Sequence, residues 1–133
     1  GLDTTVVVRF LVEDDAAQTE LAWAAIRQAR GRGLPVRISL PVVLEVEWVL
    51  RSRYLLGKVE VVAALLVLLE TTDVLIERED VLLHALTLYE ESRAEFADCL
   101  FVAGYAASEA GSMLTFDVRA SQLPGARLLT SLH

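Results

Sequence analysis

The sequence is short of cysteine and of long apolar runs, and each shortage excludes a class of protein. Cys99 is the one cysteine, so no disulfide can form within the chain, and the default compartment is the reducing cytoplasm. The longest apolar run, residues 61–69, has nine residues, whereas a membrane-spanning helix needs about twenty. The first residues also lack the basic and apolar regions of a secretory signal. We therefore expect a cytoplasmic protein that does not span a membrane.

Apolar residues and negative charge are what the chain has in excess. Its 133 residues suit a single domain over residues 1–133, and 54% of them are apolar, more than a chain of this size hides in its own core. Some apolar surface is therefore expected to lie in an interface. The net charge of −7 argues against simple nucleic-acid binding, unless divalent cations neutralise several carboxylates in one site.

Short apolar segments alternate with helical patterns along the chain. The predicted strands are the tail of one at residues 1–3, followed by 36–39, 74–76, 113–116 and 126–129. The predicted helices are 16–30, 40–53, 58–70, 79–91 and 95–110. The valine-rich stretch 6–12 favours a strand by propensity. This alternation predicts an α/β fold with a mostly parallel sheet that is covered on both faces.

Acidic residues follow two of the predicted strands. Asp3 ends the first and Asp117 ends the fourth, and ligands of open α/β sheets bind beyond the carboxyl ends of the strands. Glu45 lies about one turn into the helix after the second strand, while Glu95 and Asp98 lie near the start of the helix before the fourth. We therefore expect these five carboxylates to converge at one edge of the sheet.

Carboxylates that converge repel one another unless a cation lies between them. A site with only oxygen ligands favours Mg²⁺ or Mn²⁺, and such a site suits hydrolysis of a phosphodiester. Taken singly, Asp3, Asp98 and Asp117 are each more typical of a helix cap or a turn. Glu45 is harder to explain in that way, because it lies in an apolar run where a lone charge is costly. Glu47 is expected to be solvated.

Four segments, in order, resemble the acidic motifs of the PIN domain family. Residues 2–5 (Leu-Asp-Thr-Thr) are similar to the usual opening Leu-Asp-Thr-Asn, and residues 95–98 (Glu-Phe-Ala-Asp) are similar to Asp-Phe-Ala-Asp. Residues 44–50 and 114–117 resemble the second and fourth motifs. The order and spacing fit essentially the whole chain. The subgroup that the chain resembles most is the toxin ribonucleases of VapBC-type toxin–antitoxin modules.

The resemblance implies a fold, an activity and partners. The fold is an α/β/α sandwich around a mostly parallel sheet of roughly five strands, with a helix rather than a strand over most of residues 4–12. The activity is that of an endoribonuclease that depends on Mg²⁺, with Mn²⁺ as a substitute. The implied partners are the RNA substrate, a second copy of the chain in a homodimer, and a cognate antitoxin that covers or enters the acidic site.

The resemblance also assigns roles to individual residues. The implied metal ligands, direct or through water, are Asp3, Asp98 and Asp117, with Glu95 as a secondary ligand. Glu45 completes the coordination or orients the attacking water.

Two positions depart from the usual family pattern. Thr5 stands where the family usually has Asn, so an amide donor is lost, and Glu95 replaces a frequent Asp. Thr115 matches a common hydroxyl position and is expected to support Asp117. Three arginines are candidates for phosphate contacts: Arg9, Arg51 and Arg119.

Three other functions compete with a nuclease. A haloacid-dehalogenase-like phosphatase needs an Asp two residues after Asp3, where Thr5 stands, and the only lysine that could serve it is Lys58. A response-receiver domain needs an Asp after the third strand, where Glu77 stands, and a lysine after the fifth, where none follows. Thr5 keeps open the third alternative, a PIN-like domain that has lost catalysis and serves as a binding partner.

Overall fold

Residues 4–12, whose valines favour a strand locally, form a helix in the computed structural model of the chain. Helix α1 spans Thr4–Val12, and Asp3 caps its start, because Oδ1 of Asp3 accepts the Val6 N–H at 3.1 Å. The helix buries Val7, Val8 and Phe10. A valine costs a helix only a few tenths of a kcal/mol (~0.5 at most), whereas burial of a large apolar side chain contributes about 2 kcal/mol. The strand prediction is therefore wrong, and the helix implied by the family resemblance is confirmed.

The structure describes residues 1–130, which divide into two units, Gly1–Glu79 and Asp80 onward. After α1, the elements of the first unit are α2 (Ala16–Gly31), β1 (Val36–Ile38), α3 (Leu40–Ser52), α4 (Lys58–Glu70) and β2 (Val74–Ile76). Helix α1 packs against α2 and α3, and α4 packs against α3 and β2. Strands β1 and β2 pair in parallel, with Val36 opposite Val74 and Ile38 opposite Ile76.

The second unit contains two helices, two strands and a 3₁₀ turn within its described residues. The helices are α5 (Glu79–Glu91) and α6 (Phe96–Ala106), the strands are β3 (Met113–Thr115) and β4 (Ala126–Leu128), and the 3₁₀ turn is Ala120–Gln122. Strands β3 and β4 pair in parallel, with Met113 opposite Ala126, and α6 packs against β3.

The two-residue turn before β4 depends on a glycine. Gly125 has a φ of +95°, and a Cβ at this position would lie 3.1 Å from Cγ1 of Val102. Any other residue would therefore be strained there in backbone conformation and in packing. Gly125 of the Pro-Gly pair, which predicts a break before the last strand, is thus required by the structure.

The described residues form an α/β fold that is mostly helical, with short parallel strands in two small sheets. The predicted segments 36–39, 74–76, 113–116 and 126–129 all contain a strand, each within one residue of the expected bounds. Residues 1–3 do not form one: the Leu2 N–H donates to the Arg37 carbonyl at 2.9 Å, and the chain then enters α1. The expected five-stranded sheet is therefore not found among residues 1–130.

Each unit has its own buried apolar side chains. In the first, Val43, Val46 and Leu65 are inaccessible to solvent, and in the second Leu82 and Cys99 are. Cys99 is thus a small buried side chain, as expected of a cysteine that forms no disulfide. Among residues 1–130, no helix combines the length and the apolar character that crossing a membrane requires.

Candidate acidic site

The predicted site residues are divided between the two units. Asp3, Thr5 and Glu45 belong to the first unit, and Glu95, Asp98, Thr115 and Asp117 belong to the second. The two groups are described in turn.

Asp3 is held at the start of α1 by its role as a helix cap. Its Oδ1 accepts the Val6 N–H, and its Oδ2 takes part in no hydrogen bond with any described residue. Asp3 and Thr5 are exposed, and both line a groove of about 500 Å³ whose wall includes Leu21 and Ala22 of α2. The prediction that Asp3 caps a helix is therefore correct for Oδ1, whereas Oδ2 has no structural role among the described residues.

Glu45 and Glu47 have the opposite exposures to those expected. Glu45 is exposed, whereas Glu47 is only 2% exposed. Helix α3 buries Val43, Val46, Glu47 and Leu50, and these positions follow the i, i+3, i+4, i+7 spacing of one helix face. The prediction that Glu45 is a buried carboxylate and Glu47 a solvated one is wrong, because the apolar run alone does not show which face of the helix packs. Glu45 remains a candidate for the site as an exposed acid.

The buried carboxylate of Glu47 is neutralised by Arg51, one turn further along α3. Nε of Arg51 donates to Oε2 of Glu47 at 2.9 Å, and a second guanidinium nitrogen lies 3.5 Å from Oε1. A buried charge needs such a partner. Arg51, a candidate for a phosphate contact, is therefore engaged in an ion pair that the structure of α3 requires.

Arg9 is likewise engaged within the first unit. Its guanidinium donates to Oε1 of Gln18 and to the Tyr54 hydroxyl, and it lies 3.4 Å from Asp14. The Tyr54 hydroxyl in turn donates to Asp14 at 2.9 Å. This network joins α1 to α2 and to the segment after α3, so a structural role accounts for Arg9. Of the three candidate arginines, Arg119 alone has no ion pair within residues 1–130.

In the second unit, three carboxylates lie close enough to influence one another. Asp98 lies in the first turn of α6, and Glu95 is the residue that precedes the helix. Partial burial raises the pKa of Asp98 above its ordinary value, and the negative charges of Asp117 and Glu95 raise it further. The Glu95 side chain makes no capping hydrogen bond. Asp98 therefore senses the charges of Glu95 and Asp117 within this unit, and the predicted convergence of the five carboxylates stays a prediction.

Asp117 is fixed by three hydrogen bonds just after β3. Its N–H donates to the Thr115 hydroxyl at 3.0 Å, its Oδ1 accepts the Ala120 N–H at 2.9 Å, and its carbonyl accepts the Ser121 N–H at 3.0 Å. The Asp117 side chain therefore also bonds the backbone where the 3₁₀ turn begins. Thr115 contacts the backbone of the acid, which fits the supporting position expected for it.

The donor set can be compared with what a divalent cation requires. Within residues 1–130, no three His, Cys, Asp or Glu side chains lie close enough together to hold an ion directly. The carboxylates of the second unit nevertheless provide oxygen donors of the kind that Mg²⁺ prefers, with waters completing the coordination. A cation there would also relieve the repulsion that raises the pKa of Asp98. These residues therefore fit a divalent cation that is held partly through water.

The fold and the acids define a class: an α/β chain whose carboxylates follow short parallel strands and begin helices. The PIN domain family matches residues 2–126, which is nearly the whole sequence, and the chain therefore belongs to the PIN domain family. PIN domains are generally metal-dependent nucleases, which makes them hydrolases, and their metal is usually Mg²⁺. No curated protein and no solved structure matches the chain significantly.

Proposed function

We propose that the chain is an endoribonuclease that hydrolyses RNA with Mg²⁺, for which Mn²⁺ can substitute. The observation that supports this most directly is the set of acids Glu95, Asp98 and Asp117 in a PIN domain, where burial first, and then the charges of the other two carboxylates, raise the pKa of Asp98. Repulsion of this kind is unfavourable in a site that serves only the fold. It is useful where a cation and a phosphodiester are to be bound.

Within this proposal, Asp3, Asp98 and Asp117 hold the cation, directly or through water, and Glu95 is a secondary ligand. Asp3 keeps Oδ2 for this role while Oδ1 caps α1. Glu45, which is exposed on α3, completes the coordination or orients the attacking water. Thr115 supports Asp117 through its N–H, and Thr5 stands beside Asp3 where a relative usually has Asn.

The bound cation would supply a polarised water and neutralise charge on the phosphate. In the proposed hydrolysis, the oxygen of a water would form a bond to phosphorus, the bond from phosphorus to the 3′ oxygen would break, and a proton would pass to that oxygen. The products are a 5′-phosphate and a 3′-hydroxyl. The acids contribute by being held in place, and the hydrogen bonds that hold Asp117 serve this directly.

We further propose that the chain is the cytoplasmic toxin of a type II toxin–antitoxin pair and acts as a homodimer. The resemblance of the four acidic motifs to VapBC-type toxins supports the role. Exposed apolar side chains support an interface: Leu55 is 81% and Val59 is 83% exposed. Growth arrest on expression, relieved by Asp98→Asn, together with a dimeric mass in light scattering, tests this. Normal growth with the wild-type chain would count against it.

The second candidate is a PIN domain that binds partners without cleaving RNA. Two observations favour it: Thr5 lacks the amide donor of the usual Asn, and no three side chains within residues 1–130 hold an ion directly.

Cleavage of a labelled single-stranded RNA separates the two candidates. The nuclease predicts cleavage with Mg²⁺ or Mn²⁺, none with EDTA, and a loss of at least about a hundredfold in Asp3→Ala and Asp98→Asn. Glu109→Gln removes an exposed carboxylate outside the proposed site and should cleave as the wild type does. Full activity in both aspartate variants would exclude the acidic site, and no cleavage of any RNA by the wild type would favour the binding domain.

A further inference from the structure

The second unit contains a cavity of about 540 Å³ that the proposed chemistry does not use. Its lining includes Glu90, Glu91, Arg93, Arg119 and Gln122. The volume lies within the range of small-molecule sites, about 300–1,000 Å³, and it is large enough for a nucleotide. The lining combines two cations with two carboxylates, so it suits a ligand that has both an anionic group and hydroxyl donors.

The two arginines of this cavity have no ion pair within the part of the chain that the structure describes. Their guanidinium groups are therefore available to a ligand. Arg93 and Arg119 pair with none of the described residues, although Glu90 and Glu91 share the same lining. A guanidinium presents a planar set of donors that matches a phosphate. Two such groups that face one cavity favour a phosphate ligand.

Both arginines lie on backbone that is held in place. The Ser92 hydroxyl accepts the Ala94 N–H at 3.3 Å, and Ala94 is buried, which fixes the turn around Arg93. The Arg119 carbonyl accepts the Gln122 N–H at 3.2 Å, and the next residue, Ala120, is inaccessible to solvent. Because the backbone at both arginines is already fixed, less conformational entropy is lost when a ligand binds.

The cavity adjoins the acidic cluster at two points along the chain. Arg93 lies two residues before Glu95, and Arg119 lies two residues after Asp117. Two residues of extended chain span at most about 7 Å. The backbone of each arginine therefore lies within about 7 Å of the backbone of an acid of this unit.

We propose that this cavity binds one nucleotide of the RNA strand next to the bond that is cleaved. Arg93 and Arg119 bind its phosphate, and Glu90 and Glu91 accept a hydrogen bond from its ribose 2′-hydroxyl, a group that DNA lacks. The inference rests on the proposed function, because the ligand is taken to be part of the substrate. It makes the cavity the place where the chain distinguishes RNA from DNA.

Binding of a labelled single-stranded RNA and of the DNA of the same sequence, measured with EDTA at several salt concentrations, tests the assignment. The variant with Arg93→Gln and Arg119→Gln should bind RNA about tenfold more weakly. The slope of log affinity against log salt should fall by about 0.7 for each phosphate that an arginine no longer binds. A control with Arg32→Gln and Arg127→Gln changes the net charge equally at exposed arginines outside the cavity, and it should bind RNA as the wild type does.

The carboxylates are tested by the ratio of RNA affinity to DNA affinity. The variant with Glu90→Gln and Glu91→Gln should bring this ratio closer to one than it is in the wild type. An unchanged ratio would overturn the assignment to the ribose. Equal losses in the cavity variant and in the control, or no loss in either, would overturn the phosphate site. Since no cleavage occurs with EDTA, a chain that binds RNA through Arg93 and Arg119 but never cleaves it would contradict the proposed nuclease alone.

Discussion

Arg51 neutralises the buried carboxylate of Glu47 across 2.9 Å, within a single turn of α3. Arg51→Gln should lower the free energy of unfolding by about 2 kcal/mol, because Glu47 is left buried without its cation. The double variant with Glu47→Leu and Arg51→Leu should recover much of that loss, because no charge then remains to be buried. Urea unfolding of the single and double variants gives the coupling. If the effects of the single substitutions on the free energy of unfolding simply add up in the double variant, the ion pair is not the source of the stability.

Asp3 has two roles, a helix cap and a proposed metal ligand, and one substitution separates them. Asn caps a helix nearly as well as Asp does, so Asp3→Asn should change the free energy of unfolding by less than about 0.5 kcal/mol. Because it removes the charge, it should still reduce cleavage at least about a hundredfold. Asp3→Ala loses both roles and should also cost about 1 kcal/mol of stability. Urea unfolding beside a cleavage assay measures both, and normal cleavage by Asp3→Asn would remove Asp3 from the site.

The Thr115 hydroxyl accepts the Asp117 N–H, so its loss should act on the acid rather than on the fold. Thr115→Val keeps the shape without the hydroxyl and should reduce kcat about tenfold, with a loss of stability of about 1 kcal/mol or less. Thr115→Ser keeps the acceptor and should retain most of the activity. Steady-state kinetics with a short RNA measures both variants. Equal effects of Val and Ser would show that the methyl group matters, not the hydrogen bond.

The local sequence pattern is sufficient to predict most of the helices and strands, but it does not predict α1. Strands such as Val74–Ile76 and helices such as Lys58–Glu70 were predicted at their observed bounds, because apolar periodicity and helix-starting residues agree there. In residues 4–12, propensity favours a strand, but the Asp3 cap and the burial of Val7, Val8 and Phe10 favour a helix. Only the family resemblance predicted that outcome, because burial depends on neighbours distant in sequence.

The acidic residues show the same limit. The sequence identifies Asp98 and Asp117 as candidates by their positions at a helix start and a strand end. The charge of Asp117 adds to the effect of burial on the pKa of Asp98, and the role of both residues in a site stays a prediction. The sequence pattern assigned the wrong exposure to Glu45 and Glu47, because apolar residues flank both acids and the run alone does not show which face of α3 packs. Arg93 was missed, since its relation to Arg119 depends on how residues 90–94 and 119–122 form one cavity.

Asp98 should destabilise the metal-free protein as pH rises. Its pKa is raised in the folded state, so between the unfolded and folded values the folded chain binds more protons, and stability falls as pH increases through that window. Asp98→Asn does not titrate. Without metal, this variant should therefore match the wild type below about pH 4 and be more stable above the window, by about 0.5 kcal/mol on the scale of a like-charge pair.

Excess Mg²⁺ or Mn²⁺ should reverse that order at neutral pH. The cation binds the ionised site of the wild type and raises its melting temperature, whereas Asp98→Asn has lost a ligand and should gain little. Thermal unfolding at acid and neutral pH, with EDTA and with each metal, measures both effects, and Glu109→Gln should behave as the wild type throughout. Equal stabilisation of the wild type and Asp98→Asn by metal would mean that the ion binds elsewhere. The repulsion around Asp98 would then need another explanation than catalysis.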